Sequence, residues 1–251
     1  MNSVLLKAKA QDIIRNSNPK VIRVAIVFLC ISLVFSVLSS YLMGSVFTQK
    51  DIEQITAHIE SGNTEYAIEY MMDKMPPAGS RLVDLLIQFV MSIVSIGFII
   101  FILNTIRNNA PCFGNLMDGF GFPFRIIFLN LLEGVLIALW SILLIVPGII
   151  AAYKYRMARY LLIDHPEYSV IQCIKESKRM MAGRKWDLFL LDLSFLGWAM
   201  LSVFPLIGWL VQIWTTPYFA TTYALYYEQL AGHYDASTDY VNFQNDHSEW
   251  L

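Results

Sequence analysis

The amino-acid sequence predicts an all-α integral membrane protein with six transmembrane helices arranged as three hairpins. Two observations support this fold class. Hydrophobic residues make up 56% of the 251 residues and charged residues only 15%, whereas about 25% of the residues in a soluble domain are charged. The apolar residues also occur in long blocks, and a helix that crosses a bilayer needs about 20 of them. Short amphipathic helices at the membrane surface complete the predicted fold.

Six apolar stretches are candidate membrane spans. Together they form a predicted membrane domain over residues 21–230, which follows a juxtamembrane segment, 1–20, and precedes an acidic cytoplasmic tail, 231–251. The first stretch is longer than the apolar core of a signal peptide, about 7–15 residues, so it predicts a retained anchor. The six predicted spans are residues 21–46, 82–106, 124–146, 148–163, 187–204 and 206–230.

Three segments outside the spans have the pattern of amphipathic helices. Residues 3–15 carry apolar side chains near helical spacing between basic ones, which predicts a helix that lies on the membrane surface. Residues 169–183 predict a second surface helix. Residues 48–80 predict two short helices and carry two lysines against six acidic residues.

The distribution of Lys and Arg predicts the orientation, because cationic loops stay in the cytoplasm. Residues 1–23 and 164–187 hold five cations each, and the loop 107–125 adds two more. With six spans, these three basic segments lie on one side of the membrane and the acidic segment 48–80 lies on the other. We therefore predict that both termini are cytoplasmic and that residues 48–80 are extracytoplasmic.

Two prolines mark the predicted outer turns of the second and third hairpins. Pro147 and Gly148 separate the third span from the fourth, and a tight reversal there keeps the following basic segment on the cytoplasmic side. Pro205 follows Trp198 by the same interval at which Pro147 follows Trp140. This weak repeat predicts that Pro205 is the turn of the third hairpin.

Charged residues inside the predicted spans form the main candidate site. A helix rises about 1.5 Å per residue, so Arg156 and Arg159 lie roughly 12 and 16 Å below the predicted turn at Pro147. Glu133 lies roughly 20 Å below the same turn, and Asp192 lies roughly 20 Å below the predicted turn at Pro205. The four groups therefore reach similar depths in a hydrocarbon core about 30 Å thick. Arg156 and Arg159 are three residues apart, which predicts that they share one helix face.

Three interpretations of these arginines stay open at the level of sequence. In the first, the two carboxylates neutralise them and fix the helix packing, because an unpaired charge in the bilayer costs at least about 2.5–3.5 kcal/mol. In the second, they line a partly hydrated cavity that binds an anionic headgroup or solute. In the third, the fourth span is short and the arginines extend to cytoplasmic water.

Pro217, preceded by Thr216, predicts an interruption of the last span. A proline inside a helix leaves the carbonyl four residues earlier without its N–H partner, and a threonine hydroxyl can bond that carbonyl. Interrupted helices often hold transporter sites, although a packing kink gives the same pattern. The neighbouring aromatic residues predict an interfacial belt and interhelical packing: Trp209, Trp214, Tyr223, Tyr226 and Tyr227.

The sequence contains none of the common catalytic or cofactor-binding motifs. HExxH, GxSxG, the phosphate-binding loop and GxGxxG are all missing, and the four histidines share no frame. The three cysteines form no CxxC motif, which argues against a zinc site or a disulfide framework. A net charge of −2 gives no basic footprint for nucleic acid. We therefore expect no enzyme activity, no cofactor and no metal, with the lipid bilayer as the main partner and an anionic lipid or another membrane protein as further candidates.

The second half of the chain resembles a known family. The resemblance rests on Trp140 with Pro147-Gly148 and on the segments AAYKYRMARYLLID, ESKRMMAGRKWDLF, LSFLGW and PYFATTYALYYEQL. Over about residues 115–230 the sequence resembles the uncharacterised multi-pass membrane proteins, known mainly from Gram-positive bacteria, that are catalogued as domain of unknown function 975. The resemblance implies a helical fold in the bacterial plasma membrane and no activity that could be transferred.

These observations support two hypotheses for the function. The first is a non-catalytic interaction or accessory role in the cell envelope, in which the two surface helices and the 48–80 segment meet partners or lipid headgroups. The second is a transporter or lipid-handling protein that uses the two arginines and the interruption at Pro217 as its site. The hypotheses differ in whether the arginines are saturated by the carboxylates or face an open cavity.

Overall fold

The computed structural model describes residues 3–43, 49–202 and 205–232, and these residues form helices and turns without any β-strand. The chain divides into two compact units. Residues 30–91 form the smaller unit, and residues 1–29 together with 92–251 form the larger one.

The described part of the chain contains thirteen α-helices and one short 3-10 segment. The first five helices are α1 (Ser3–Asn16), α2 (Val21–Met43), α3 (Gln49–Glu60), α4 (Thr64–Asp73) and α5 (Ala78–Ile106). A short helix α6 (Asn115–Asp118) and the 3-10 segment Gly119–Gly121 lead to α7 (Pro123–Leu143) and α8 (Ile145–Tyr155). The remaining helices are α9 (Ala158–Asp164), α10 (Val170–Met180), α11 (Lys185–Leu193), α12 (Leu196–Ser202) and α13 (Pro205–Leu230).

Three helices of the described residues are long and apolar enough to cross a membrane, by length and composition. They are α2, α5 and α7, and they coincide with the first three predicted spans, except that residues 44–46 lie outside the described ranges. A helix of about 20 apolar residues matches the thickness of the hydrocarbon core. The sequence-based prediction of a helical membrane protein therefore agrees with the structure at this coarse level.

The predicted fourth and fifth spans are each occupied by two short helices instead of one long helix. Helices α8 and α9 cover residues 148–163, and α11 and α12 cover the described part of residues 187–204. None of these four helices alone reaches the length that a bilayer requires. Helix α13 covers the predicted sixth span, 206–230, but it is not among the helices that are apolar enough to count as a candidate span. An apolar stretch predicts burial but does not reveal where tertiary contacts interrupt a helix.

The reversal between α7 and α8 occurs at Leu144, which has an extended backbone (φ −162°, ψ 147°). Pro147 and Gly148 therefore lie in the first turn of α8, just after the reversal. Proline is tolerated in a first turn because the N–H groups there have no partner within the helix. A Cβ atom on Gly148 would collide with the Ser141 hydroxyl, so glycine allows α7 and α8 to pack closely.

The third predicted turn is only partly described. Pro205 is the first residue of α13, and residues 203–204 before it lie outside the described ranges. Helices α12 and α13 pack against each other. A Cβ atom on Gly208 would overlap the Ser202 carbonyl, which indicates the same kind of close approach as at Gly148.

The predicted interruption at Pro217 is wrong, because α13 runs through this residue from Pro205 to Leu230. The Thr215 hydroxyl donates to the Val211 carbonyl (3.0 Å) and not to the Ile213 carbonyl, which Pro217 cannot bond. Pro217 is buried and Thr216 half-buried. A proline costs one helical hydrogen bond, and the packing of α13 against α1 and α12 offsets that loss.

The two predicted surface helices are parts of the protein core. Leu6, Ala10 and Ile14 recur every four residues on α1 and are at most 1% exposed, and α1 packs along α13. Helix α10 likewise packs against α7, α8 and α9. Other helices of the same chain therefore cover most of the apolar face of each helix, and their location at the membrane surface stays a prediction.

The smaller unit contains the two short helices predicted within residues 48–80, namely α3 and α4. The buried carboxylate of Asp51 accepts a hydrogen bond from the Tyr70 hydroxyl (2.6 Å) and pairs with Lys74 (3.0 Å). Hydrogen bonding to Asp51 raises the pKa of Lys74. In the same unit, the Ser39 hydroxyl donates to Asp84 and joins α2 to α5. Polar contacts therefore help to hold α3 to the end of α4 and α2 to α5 within this unit.

A candidate binding site at two arginines

Arg156 lies in the interruption between α8 and α9, directly after the last residue of α8, and Arg159 lies on α9. The hydroxyl of Ser177 on α10 donates to the Lys154 carbonyl (2.8 Å) and accepts from the Met157 N–H (3.2 Å). Ser177 is completely buried. Its side chain therefore supplies hydrogen bonds that the backbone would make itself in a continuous helix, and it stabilises the interruption from outside.

Arg156 is held by short contacts, and its side chain is 36% exposed. Its Nη1 contacts Asp192 at 2.7 Å, and its guanidinium lies over the ring of Tyr223 at 4.3 Å from the centroid. The same Asp192 carboxylate accepts the hydroxyls of Tyr153 (2.9 Å) and Tyr223 (2.6 Å). A short charge-assisted hydrogen bond and a cation–π contact are both favourable away from water. Arg156 and its partners therefore form a polar cluster held by short contacts.

Arg159 is bound much less completely. Its Nη2 is 3.5 Å from Glu133 Oε2, and its side chain is 47% exposed. A good arginine–carboxylate hydrogen bond measures about 2.7–2.9 Å. The Glu133 side chain is only 8% exposed, and its second oxygen, Oε1, has no hydrogen-bond partner among the residues that the structure describes. Both members of this pair therefore keep unused hydrogen-bonding capacity.

The structure thus brings all four predicted charged residues together as two pairs, Arg156 with Asp192 and Arg159 with Glu133. The helix is interrupted at Arg156 and Met157, between α8 and α9, while both arginines line the same cavity, and the shared helix face stays a prediction. The two arginines meet carboxylates from different helices, α11 and α7. The role of each pair stays a prediction.

A cavity of about 510 Å³ lies beside these pairs. Ligand pockets in proteins typically measure about 300–1,000 Å³ and combine apolar walls with a few polar groups. One part of this lining is apolar, and the other part carries charged and phenolic side chains. The apolar lining includes Ile99, Ile137, Ile149 and Ala152, and the polar lining consists of Glu133, Tyr153, Tyr155, Arg156, Arg159 and Tyr160.

A second ionic cluster joins the ends of α5, α9 and α13. Arg107 donates to both oxygens of Asp164 at 2.7 Å and, through Nε, to Glu228 at 2.8 Å. The Tyr227 hydroxyl also donates to Asp164 (2.7 Å). Hydrogen bonding to Asp164 raises the pKa of Arg107 above its ordinary value. The sequence assigned Arg107 only to a cytoplasmic loop, whereas the structure uses it to hold three helices.

Several residues around the arginines carry no clear signal in the sequence. Tyr153 precedes Arg156 by three residues on α8, so helical spacing could have identified it. Ser177 and Tyr223 come from distant helices, and no local pattern connects them to the site. Tyr226 and Tyr227 are almost completely buried, which agrees with the interhelical packing predicted for part of the aromatic set.

The helices and the cavity fit a helical membrane protein with a mixed polar and apolar pocket beside a charged pair. Residues 80–233, more than half of the chain, match the family described as Protein of unknown function (DUF975), and the chain belongs to that family. The match begins earlier than the predicted resemblance over residues 115–230, so it includes nearly all of α5. Curated proteins and solved structures give no match.

Proposed function

We propose that this chain is a non-catalytic protein of the bacterial plasma membrane that binds the polar headgroup of an amphiphile, with Arg159 contacting an anionic group. The asymmetry between the two arginines carries this proposal. Arg156 is held by Asp192 and covered by Tyr223, whereas Arg159 has one long contact and an exposed side chain. A guanidinium has five N–H donors, and those of Arg159 are largely unused.

The cavity suits an amphiphile better than a free ion. Ile137 and Ile149 lie in its lining together with the charged groups, and Ile149 is 49% exposed. The neighbouring turn of the α7–α8 hairpin also exposes large apolar side chains, including Ile145 and Val146. An acyl chain could contact this apolar surface while its headgroup occupies the polar part, because apolar burial and charge pairing stabilise different parts of one molecule.

The fold weakens two other hypotheses. A transporter site at Pro217 depended on an interrupted helix, and α13 is continuous there. An accessory role through the surface helices is less favoured, because Leu6, Ala10 and Ile14 of α1 are buried within the chain and not offered to a partner. These observations favour lipid binding over transport and over partner binding at α1 or α10.

An interaction role has independent support in the smaller unit and is the second candidate function. Helix α4 exposes Tyr66, Ile68 and Met72 next to the acidic residues Glu65 and Glu69. A photo-crosslinking amino acid at position 68 tests this role in intact cells. A single protein crosslinked at 68 and absent with the same probe at Lys178 on α10 would support it, and no crosslink at 68 would reject it.

Lipid retention tests the main proposal. The protein is extracted gently from its own membrane and analysed by native mass spectrometry as wild type, Arg159→Gln and the control Arg179→Gln, whose side chain is 80% exposed on α10. We expect a stoichiometric lipid on the wild type and the control and its loss from Arg159→Gln, at an unchanged melting temperature. Retention of the lipid by Arg159→Gln contradicts the proposal.

A further inference from the structure

We infer that the headgroup carries a hydrogen-bond-donating ammonium group beside its anionic group, so that the ligand class is an aminophosphate such as phosphoethanolamine. This inference rests on the proposed function and deepens it. It concerns Glu133, the carboxylate that shares the cavity with Arg159. In the inferred complex, Arg159 binds the phosphate and Glu133 accepts hydrogen bonds from the ammonium group.

The charge balance of the cavity disfavours a ligand that is only anionic. The cavity lining contains Arg156, Arg159 and Glu133, and Asp192 already neutralises Arg156. The remaining pair, Arg159 and Glu133, has no net charge. A purely anionic headgroup would be attracted by Arg159 and repelled by Glu133 at nearly the same place. A headgroup with charges of both signs is complementary to both residues.

The hydrogen-bonding state of Glu133 indicates a missing donor. Its carboxylate can accept several hydrogen bonds, yet Oε2 has only the 3.5 Å contact with Arg159 and Oε1 has no partner within the described ranges. The residue is 6% exposed, so bulk water does not replace these bonds. A buried acceptor without a partner is unfavourable, and an ammonium group that enters beside Arg159 would supply the donors.

The geometry of the pair suits one compact zwitterion. Arg159 and Glu133 come from different helices, α9 and α7, and approach within 3.5 Å. Phosphate and ammonium in phosphoethanolamine are separated by only two carbons, so they can contact neighbouring side chains together. The cavity of about 510 Å³ falls within the usual range for small-molecule sites. Tyr160 adds a phenol to the same lining.

Competition between lipids that differ in their donors tests this inference. Purified wild-type protein is offered equal amounts of phosphatidylethanolamine, phosphatidylcholine and phosphatidylglycerol, and the retained lipid is measured by native mass spectrometry. The first two are both zwitterionic, but phosphatidylcholine has no N–H donor. We expect phosphatidylethanolamine to be retained about tenfold more than either of the others, the size expected for one charge-assisted hydrogen bond.

Two variants assign the preference to Glu133. Glu133→Gln should reduce the preference for phosphatidylethanolamine over phosphatidylcholine to about twofold or less, because a neutral amide loses the charge assistance. Glu167→Gln, an exposed carboxylate of the same unit, should keep the full preference. If Glu133→Gln does not fold, the wild-type comparison of the two zwitterionic lipids still decides.

The outcomes separate this inference from the proposed function. Equal retention of phosphatidylethanolamine and phosphatidylcholine, or a preference for phosphatidylglycerol that Arg159→Gln abolishes, overturns the donor inference and leaves Arg159 as an anion site. Retention of none of the three lipids overturns both. A further competition distinguishes the two sources of this headgroup once the preference is established. If free phosphoethanolamine displaces bound phosphatidylethanolamine, the headgroup alone is sufficient for binding; if it does not, the ligand is the lipid with its acyl chains.

Discussion

The cluster at Arg107 and the pair at Arg159 contain the same chemical groups but use them differently. Arg107 makes three hydrogen bonds of 2.7–2.8 Å to two carboxylates, and its side chain is 27% exposed. Arg159 has a single 3.5 Å contact and is 47% exposed beside a cavity. An arginine near a carboxylate is therefore not enough to identify a binding site. What separates a structural charge pair from a candidate site is how many short hydrogen bonds the arginine already makes within the protein.

The largest effect is expected from Arg107→Gln. Removing this arginine leaves Asp164 and Glu228 facing each other in a mostly buried site, and breaking such a pair typically costs about 3–5 kcal/mol. The folded protein recovered from membranes should fall severalfold, as measured by fluorescence-detected size exclusion. Arg81→Gln, at an exposed position at the start of α5, is the matched control. Normal recovery of Arg107→Gln would remove the basis for calling this cluster structural.

Asp192→Asn should have the next largest effect. The change leaves Arg156 without its counter-charge while the Tyr153 and Tyr223 hydroxyls still need an acceptor. Losing a hydrogen bond to a charged group costs about 1.5–3 kcal/mol, and the free energy of unfolding in detergent should fall by about that amount. Glu133→Gln should cost less, since its contact with Arg159 is long. If the two variants were equally destabilised, the distinction between the short and the long ion pair would be lost.

Ser177→Ala sharpens the comparison by testing how the two arginines are held apart. The variant removes both bonds that the hydroxyl makes at the interruption between α8 and α9, and a buried group left without a partner costs about 1–3 kcal/mol. We expect a lower melting temperature and weaker lipid retention, because the position of α9 is no longer fixed. Ser202→Ala, which removes only a local bond within α12, should change neither quantity.

Arg159→Gln should have the smallest effect on stability. Arg159 is itself half-exposed, and its 3.5 Å contact with the buried Glu133 is longer than a good charge-assisted hydrogen bond of about 2.7–2.9 Å, so little stabilisation is lost with it. The free energy of unfolding should therefore stay within about 0.5 kcal/mol of the wild type. A loss similar to that of Asp192→Asn would show that Arg159 is part of the structural framework.

The sequence predicted well where the signal was local. Blocks of apolar residues predicted α2, α5 and α7, and isoleucines at helical spacing predicted short helices, α3 and α4, within residues 48–80. The helical rise per residue predicted that Arg156 and Arg159 lie at a depth similar to that of Glu133 and Asp192. Each of these predictions depends only on helix geometry and on the length needed to cross a bilayer.

The errors occurred where distant contacts override local pattern. Ser177 stabilises an interruption that the apolar stretch of residues 148–163 does not reveal. Pro217 predicted a break, but packing keeps α13 continuous. The partners of Arg107 lie 57 and 121 residues away in sequence, so no spacing rule could connect them. No spacing rule could predict the cavity either, because its lining comes from four helices.

The most direct test of the distinction between the two arginines compares Arg156→Gln with Arg159→Gln in parallel. For each variant, the free energy of unfolding in detergent and the amount of lipid retained in native mass spectra are measured on the same preparation. We predict that Arg156→Gln loses stability, and that Arg159→Gln loses the lipid while its stability is unchanged. An Arg159→Gln protein that is as unstable as Arg156→Gln and still retains its lipid would contradict the proposal.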